Sequence, residues 1–154
     1  VQKSNYILIA RGADMPPVNK YKCNKCGFTL PSGWGGYMYV ENDKGERIVC
    51  PHPIEMAKVL EILGENVTEK LIKERTGFNS YCVCLDCLYQ FEADLGDEKV
   101  NPWRLYYGAM REKDKRECPR CKSENVKTVF ELIGQVCPKC KKGIIEEIPT
   151  GIVS

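Results

Sequence analysis

Cys118-Pro119-Arg120-Cys121 and, fifteen residues further on, Cys137-Pro138-Lys139-Cys140 decide how this sequence is read. Two more pairs share the spacing, Cys23/Cys26 and Cys84/Cys87, so eight of the ten cysteines fall in C-x-x-C turns. A two-residue gap lets both sulfurs of a pair point at one cation, and a disulfide framework rarely repeats that gap four times. Metal ligation is therefore the reading, and the eight cysteines supply enough donors for two four-cysteine sites.

Between the last two pairs lie strand-like Val126 to Ile133, then Gly134, Gln135 and Val136, and Gly143 to Ile148 can add a third strand. The expectation is a β-hairpin that brings Cys118, Cys121, Cys137 and Cys140 to the corners of a tetrahedron. Four thiolates leave no open coordination position, so the ion is structural and supplies much of the folding free energy. Cys118, Pro119, Cys121, Ser123, Gly134, Val136, Cys137, Cys140 and Ile144 are the features by which this segment resembles the zinc ribbon of archaeal and eukaryotic transcription initiation factors. That resemblance implies a three-stranded zinc-binding fold, and it implies nothing about the large helical domain of those factors.

Cys23-Asn24-Lys25-Cys26-Gly27-Phe28 and Cys84-Leu85-Asp86-Cys87-Leu88-Tyr89 resemble the knuckles of rubredoxin-like domains. With the C-terminal pairs satisfying each other, these two share the second ion. A rival set, Cys23, Cys26, Cys50 and His52, stays open, because a hairpin delivers Cys50 much as a ribbon delivers its second knuckle. The all-cysteine set is preferred, since two C-x-x-C turns present equivalent geometry. Cys50, His52 and Cys82 are then left over. A thiol beside an imidazole can be a nucleophile, but a spare cysteine is more often a small buried hydrophobe.

Around these knuckles, Tyr37–Val40 and Arg47–Val49 read as a hairpin. Met56, Val59, Leu60 and Leu63 mark one helix closed by Gly64. A second is signalled by Asn66 and Glu69, carries Val67, Leu71 and Ile72, and is stopped by Gly77. Asn101-Pro102 start a third helix, Trp103 to about Lys113. Lys113 to Glu117 reads as a solvated linker. The fold expected is a small, metal-stapled α+β protein. It has an arm over 1–20, a rubredoxin-like knuckle domain with a two-helix insertion over 21–97, a helical connector over 98–116 and a zinc ribbon over 117–154.

Composition bounds the function. The chain has 154 residues, 29% of them charged, and no apolar run near the roughly 18 residues of a membrane span. No signal-peptide pattern opens it, which makes the cytoplasm the expected compartment. The formal charge of +2 treats cysteines as thiols; two four-thiolate zinc sites would bring it to about −2. Basic residues concentrate at 111–142, in Arg111, Lys113, Lys115, Arg116, Arg120, Lys122, Lys127, Lys139, Lys141 and Lys142. These are the expected contacts to an RNA, DNA or protein partner. Trp34, Tyr37, Tyr39, Trp103, Tyr106 and Tyr107 are candidate stacking aromatics, although core filling is the plainer role. The functional expectation is a non-catalytic module that binds two zinc ions and serves an information-processing assembly. Its alternative is a rubredoxin-like carrier with iron at the N-terminal site, or a thiol-dependent redox enzyme.

Overall fold

In the computed structural model, residues 17–96 and 113–153 are described. The chain runs β1 (Pro17–Cys23), β2 (Thr29–Gly33), β3 (Gly36–Glu41), β4 (Arg47–Val49), α1 (Glu55–Leu63), α2 (Glu69–Arg75), β5 (Thr76–Cys84), β6 (Gln90–Ala93), β7 (Val126–Thr128), α3 (Val129–Leu132) and β8 (Ile145–Val153). It is a strand-rich α+β fold. One antiparallel sheet has the order β2-β1-β8; the other has β4-β3-β5-β6, with β7 added to β5.

The pairing crosses the expected domain boundaries. A self-contained three-stranded ribbon over 117–154 does not form, because β7 pairs with β5 and β8 pairs with β1. Hydrogen-bonding edges decide this: β1 and β5 each have an open side beside their knuckle, and a later strand fills it. The expected strand from Val126 to Ile133 also stops at Thr128. Thr128 accepts from the Glu131 N–H while the Glu131 side chain accepts from the Thr128 N–H, and this capping box turns the chain into α3.

Helices α1 and α2 fall where the periodicity placed them and pack on β3 and β5. Their caps differ from expectation in two places. The N-cap of α2 is Thr68, whose hydroxyl accepts from Leu71 N, rather than Asn66. Gly77 lies inside β5 instead of ending the helix, and its missing side chain leaves room for the Tyr39 phenol and the Asp94 carboxylate. Tyr39 is fully buried and donates to Asp94 at 2.7 Å.

Residues 113–117 are pinned rather than free. Arg47 grips Asp114 with two hydrogen bonds of 2.7 and 2.8 Å, and the Lys113 ammonium donates to Thr76 O at 2.6 Å. Arg116 donates to Val126 O and to Glu131. The expected arm strand at Tyr6–Ala10, the helix over Trp103–Lys113 except its last residue, Tyr106, Tyr107 and Arg111 lie outside the described residues.

Candidate metal centres

Two strand-ends and four turns place the eight cysteines. β1 runs into Cys23, turns through Cys26 and returns as β2; β5 runs into Cys84, turns through Cys87 and returns as β6. Two later turns, at Cys118–Cys121 and Cys137–Cys140, each lead into a strand that lies along one of these hairpins. Three of the knuckles close on a backbone bond back to their first cysteine: Leu88 N donates to Cys84 O, Lys122 N to Cys118 O and Lys141 N to Cys137 O. The residue after the second cysteine takes a positive φ at Leu88 (65°), Lys122 (67°) and Lys141 (62°), which bends the chain back over the sulfurs.

The sulfurs gather in two groups: Cys23, Cys26, Cys137 and Cys140, and Cys84, Cys87, Cys118 and Cys121. All eight expected ligands are thus brought together, but the sharing differs from expectation. Cys84 and Cys87 do not join Cys23 and Cys26, and Cys118 and Cys121 do not join Cys137 and Cys140. The first pair matches the last and the two middle pairs match each other, so one ribbon is nested inside the other. The physical reason is strand register. Cys23 faces Ile145, eight residues after Cys137, and Cys84 faces Val126, eight residues after Cys118.

The two ribbons share much of their backbone hydrogen-bond pattern. Cys23 N donates to Phe28 O and Cys84 N to Tyr89 O, both at 2.9 Å. Asn24 N donates to Ile144 O and Leu85 N to Asn125 O. Lys22 pairs with Thr29 and Glu146; Val83 pairs with Gln90 and Lys127 in the equivalent positions.

Within the groups, Cys23 and Cys140 sulfurs are 3.6 Å apart, Cys26 and Cys137 3.7 Å, Cys84 and Cys121 3.5 Å, and Cys87 and Cys118 3.6 Å. A disulfide needs about 2.05 Å. A tetrahedron with metal–sulfur bonds of about 2.3 Å has edges of about 3.8 Å, so the spacing suits a cation at the centre. Backbone N–H groups also face the sulfurs: Lys25 and Cys26 toward Cys23, Arg120 and Cys121 toward Cys118, Gly143 toward Cys140. The N–H groups of Gly143 and Lys142 pull the Cys140 thiol down to about 6. The Cys121 thiol, despite the Ser123 N–H beside it, is pushed up to about 12, the neighbouring sulfurs contributing. Four sulfurs this close need a cation to be thiolate together.

Cys50 and His52 take no part in either group, so the rival ligand set is not assembled. The β3–β4 hairpin carries them to the α1 side of the molecule, where Cys50 packs with Met38, Val40, Met56, Val59 and Ile72. His52 Nδ1 meets Glu55 Oε1 at 2.5 Å, and the His52 ring lies 4.8 Å from that of Trp34. Trp34 is thereby half-buried with its indole N–H enclosed, which removes it as an exposed platform. Burial, with Glu55 nearby, pushes the Cys50 thiol up to about 12. Cys82 is buried and donates to Ser80 O.

Of the expected basic contacts, Lys113 and Arg116 are spent on backbone carbonyls and Lys115 pairs with Glu117. Arg120, Lys122, Lys127, Lys139, Lys141 and Lys142 are exposed. Sequence reasoning missed Tyr89 and Phe91, whose rings lie parallel at 6.1 Å with the Arg120 guanidinium 5.8 Å from the Tyr89 ring centre. The i, i+2 spacing of the two aromatics, Tyr89 just before β6 and Phe91 within it, was the available signal. Among the described residues no helix is long and apolar enough to cross a membrane. Comparison with protein-family models, curated proteins and solved structures finds no match.

Proposed function

We propose that this chain is a non-catalytic zinc protein whose two four-cysteine centres hold its ribbons rigid as a platform for a nucleic-acid strand. The observation that carries this reading is that each centre draws four sulfurs from the chain itself, leaving no ligand position for a substrate. The two spare cysteines favour it as well. The Cys50 thiol is driven further from its reactive thiolate by burial, and Cys82 is enclosed.

The exposed cations of the knuckles, Arg120 and Lys122 at one centre and Lys139, Lys141 and Lys142 at the other, suit phosphate contacts. The Tyr89–Phe91 strip with Arg120 beside it suits unpaired bases. Elemental analysis should find two zinc ions per chain. Binding to a single-stranded oligonucleotide should weaken steeply as salt rises. No binding at low ionic strength would move the partner to a protein.

The same donor set supports iron, which would make the protein a one-electron carrier. The N–H groups aimed at Cys23 and Cys118 favour an anionic metal–sulfur centre of either kind. A visible absorption spectrum separates them: colourless protein with zinc supports the platform, and red, reducible protein supports the carrier.

A further inference from the structure

We infer that the outer centre (Cys23, Cys26, Cys137, Cys140) is conditional on the inner one (Cys84, Cys87, Cys118, Cys121), so that the chain fills its metal sites in order, inner first. The inference rests on the metal reading above and concerns how this chain's own residues support each site.

The two ribbons have the same register but not the same core. Around the inner centre the buried cluster is Cys82, Cys84, Ala93, Leu95, Cys118 and Val126, with Cys87 and Phe91 against it. Every one of these residues lies between positions 82 and 126, so this cluster takes no residue from the outer ribbon. Around the outer centre the cluster of Tyr21, Cys23, Phe28, Leu30, Cys137 and Ile145 is completed by residues that the inner ribbon positions. Val83 comes from β5, fully buried, with Leu85 and Leu88 from the inner knuckle packed beside it. Val129 and Leu132 come from α3, which hangs on β7. A side-chain bond from Gln90 Nε2 on β6 to Thr29 O on β2 adds to the same support.

Chain distance runs the same way. Sulfurs that face each other across the inner centre are 31 and 37 residues apart, and across the outer centre 111 and 117. Closing the longer loop first is disfavoured, though loop length acts only logarithmically. The missing core is the larger obstacle: with β5 and α3 unformed, the outer knuckles lose Val83, Val129 and Leu132 from the apolar wall they close against. Linkage makes the coupling mutual in free energy, so an ion in the outer site also tightens the inner one. Order arises because the half-loaded state with only the inner ribbon formed keeps the whole buried cluster around its own centre, whereas the opposite half-loaded state does not.

Exposure alone predicts the reverse. Cys121 of the inner centre is exposed, while no cysteine of the outer centre is. If solvent access governed occupancy, the inner ion would be the first lost.

The experiment is to add zinc to the metal-free, reduced full chain in steps, trap unligated thiols with an alkylating reagent, and map the modified cysteines by mass spectrometry. At one equivalent, Cys84, Cys87, Cys118 and Cys121 should be protected while Cys23, Cys26, Cys137 and Cys140 are modified; at two equivalents all eight should be protected. Equal partial protection of both groups, or protection of the outer four first, overturns the order. No protection at two equivalents overturns the metal reading itself, and the order with it. As a second readout, the C137S/C140S double variant should hold one ion per chain and the C84S/C87S double variant none. One ion in each overturns the dependence.

Discussion

The inner and outer ribbons use matching C-x-x-C pairs, the same strand register at their cysteines and closely similar four-sulfur spacing, yet they are supported differently. The inner ribbon forms its buried cluster from residues 82–126, and the Arg47–Asp114 pair ties the segment before Cys118 to β4 of the same sheet. The outer ribbon has its ligands at the two ends of the described chain and finds part of its wall in Val83, Leu85, Leu88, Val129 and Leu132. Loop length separates them by only about 1 kcal/mol. Removing a single buried aliphatic side chain costs about 2–5 kcal/mol, so the core decides which ribbon can stand alone. Identical metal geometry therefore does not imply identical metal stability.

That comparison can be broken most forcefully in the cores. Leu132→Ala opens a cavity in the outer cluster and should cost about 2–5 kcal/mol, with thiol reactivity rising at Cys23, Cys26, Cys137 and Cys140 before the other four. Val126→Ala, in the inner cluster, should instead raise reactivity in both groups. Equal, unselective responses to the two substitutions would show that the ribbons are one cooperative unit.

Next in size is the clamp that braces the inner half. Asp114→Ala removes both bonds from Arg47 and the one from the Asp94 N–H, and should cost about 1.5–3 kcal/mol in denaturant unfolding of the metal-loaded protein. Burial alone would raise the Asp114 carboxyl, but the Arg47 guanidinium and the nearby backbone outweigh burial and hold it below the usual carboxylate range. The sign follows from this depression: the stabilisation is fully present above the unfolded-state carboxylate value and is lost as pH falls through the lower folded value. Asp114→Asn should flatten that acid limb of the stability profile relative to the parent protein.

Smaller still is the cap at the start of α3, through which the inner ribbon supplies Val129 and Leu132 to the outer. Thr128→Ala should cost about 0.5–2 kcal/mol, with the outer sulfurs more affected than the inner ones. Smallest is Cys50, which packs against α1 away from both centres. Cys50→Ala should leave two ions per chain by elemental analysis, and loss of an ion would return Cys50 to the ligand set.

Much of the site was legible in the sequence because cysteine spacing is a local property. All eight ligands, the knuckle turns, the β3–β4 hairpin and both helices of the insertion follow from short-range signals. Which knuckles pair did not, because that depends on which strand edge is open. Cys118-Pro119-Arg120-Cys121 and Cys137-Pro138-Lys139-Cys140 look like partners by nearness and similarity, and each instead completes an earlier hairpin. Thr128 and Glu131 were readable as a capping box, but the β-branched run from Val126 to Ile133 hid them. Asp94, Arg47 and Asp114 come together only in three dimensions, from segments whose polarity reads as ordinary surface. Trp34 was ambiguous for the same reason: nothing near it in sequence announces the imidazole of His52 across its ring.

The nested pairing is the central claim, and metal-to-cysteine connectivity tests it directly. In cadmium-113-loaded protein, a proton–cadmium correlation spectrum should tie one metal resonance to the β-protons of Cys23, Cys26, Cys137 and Cys140, and a second to those of Cys84, Cys87, Cys118 and Cys121. A resonance shared by Cys118, Cys121, Cys137 and Cys140 would contradict it.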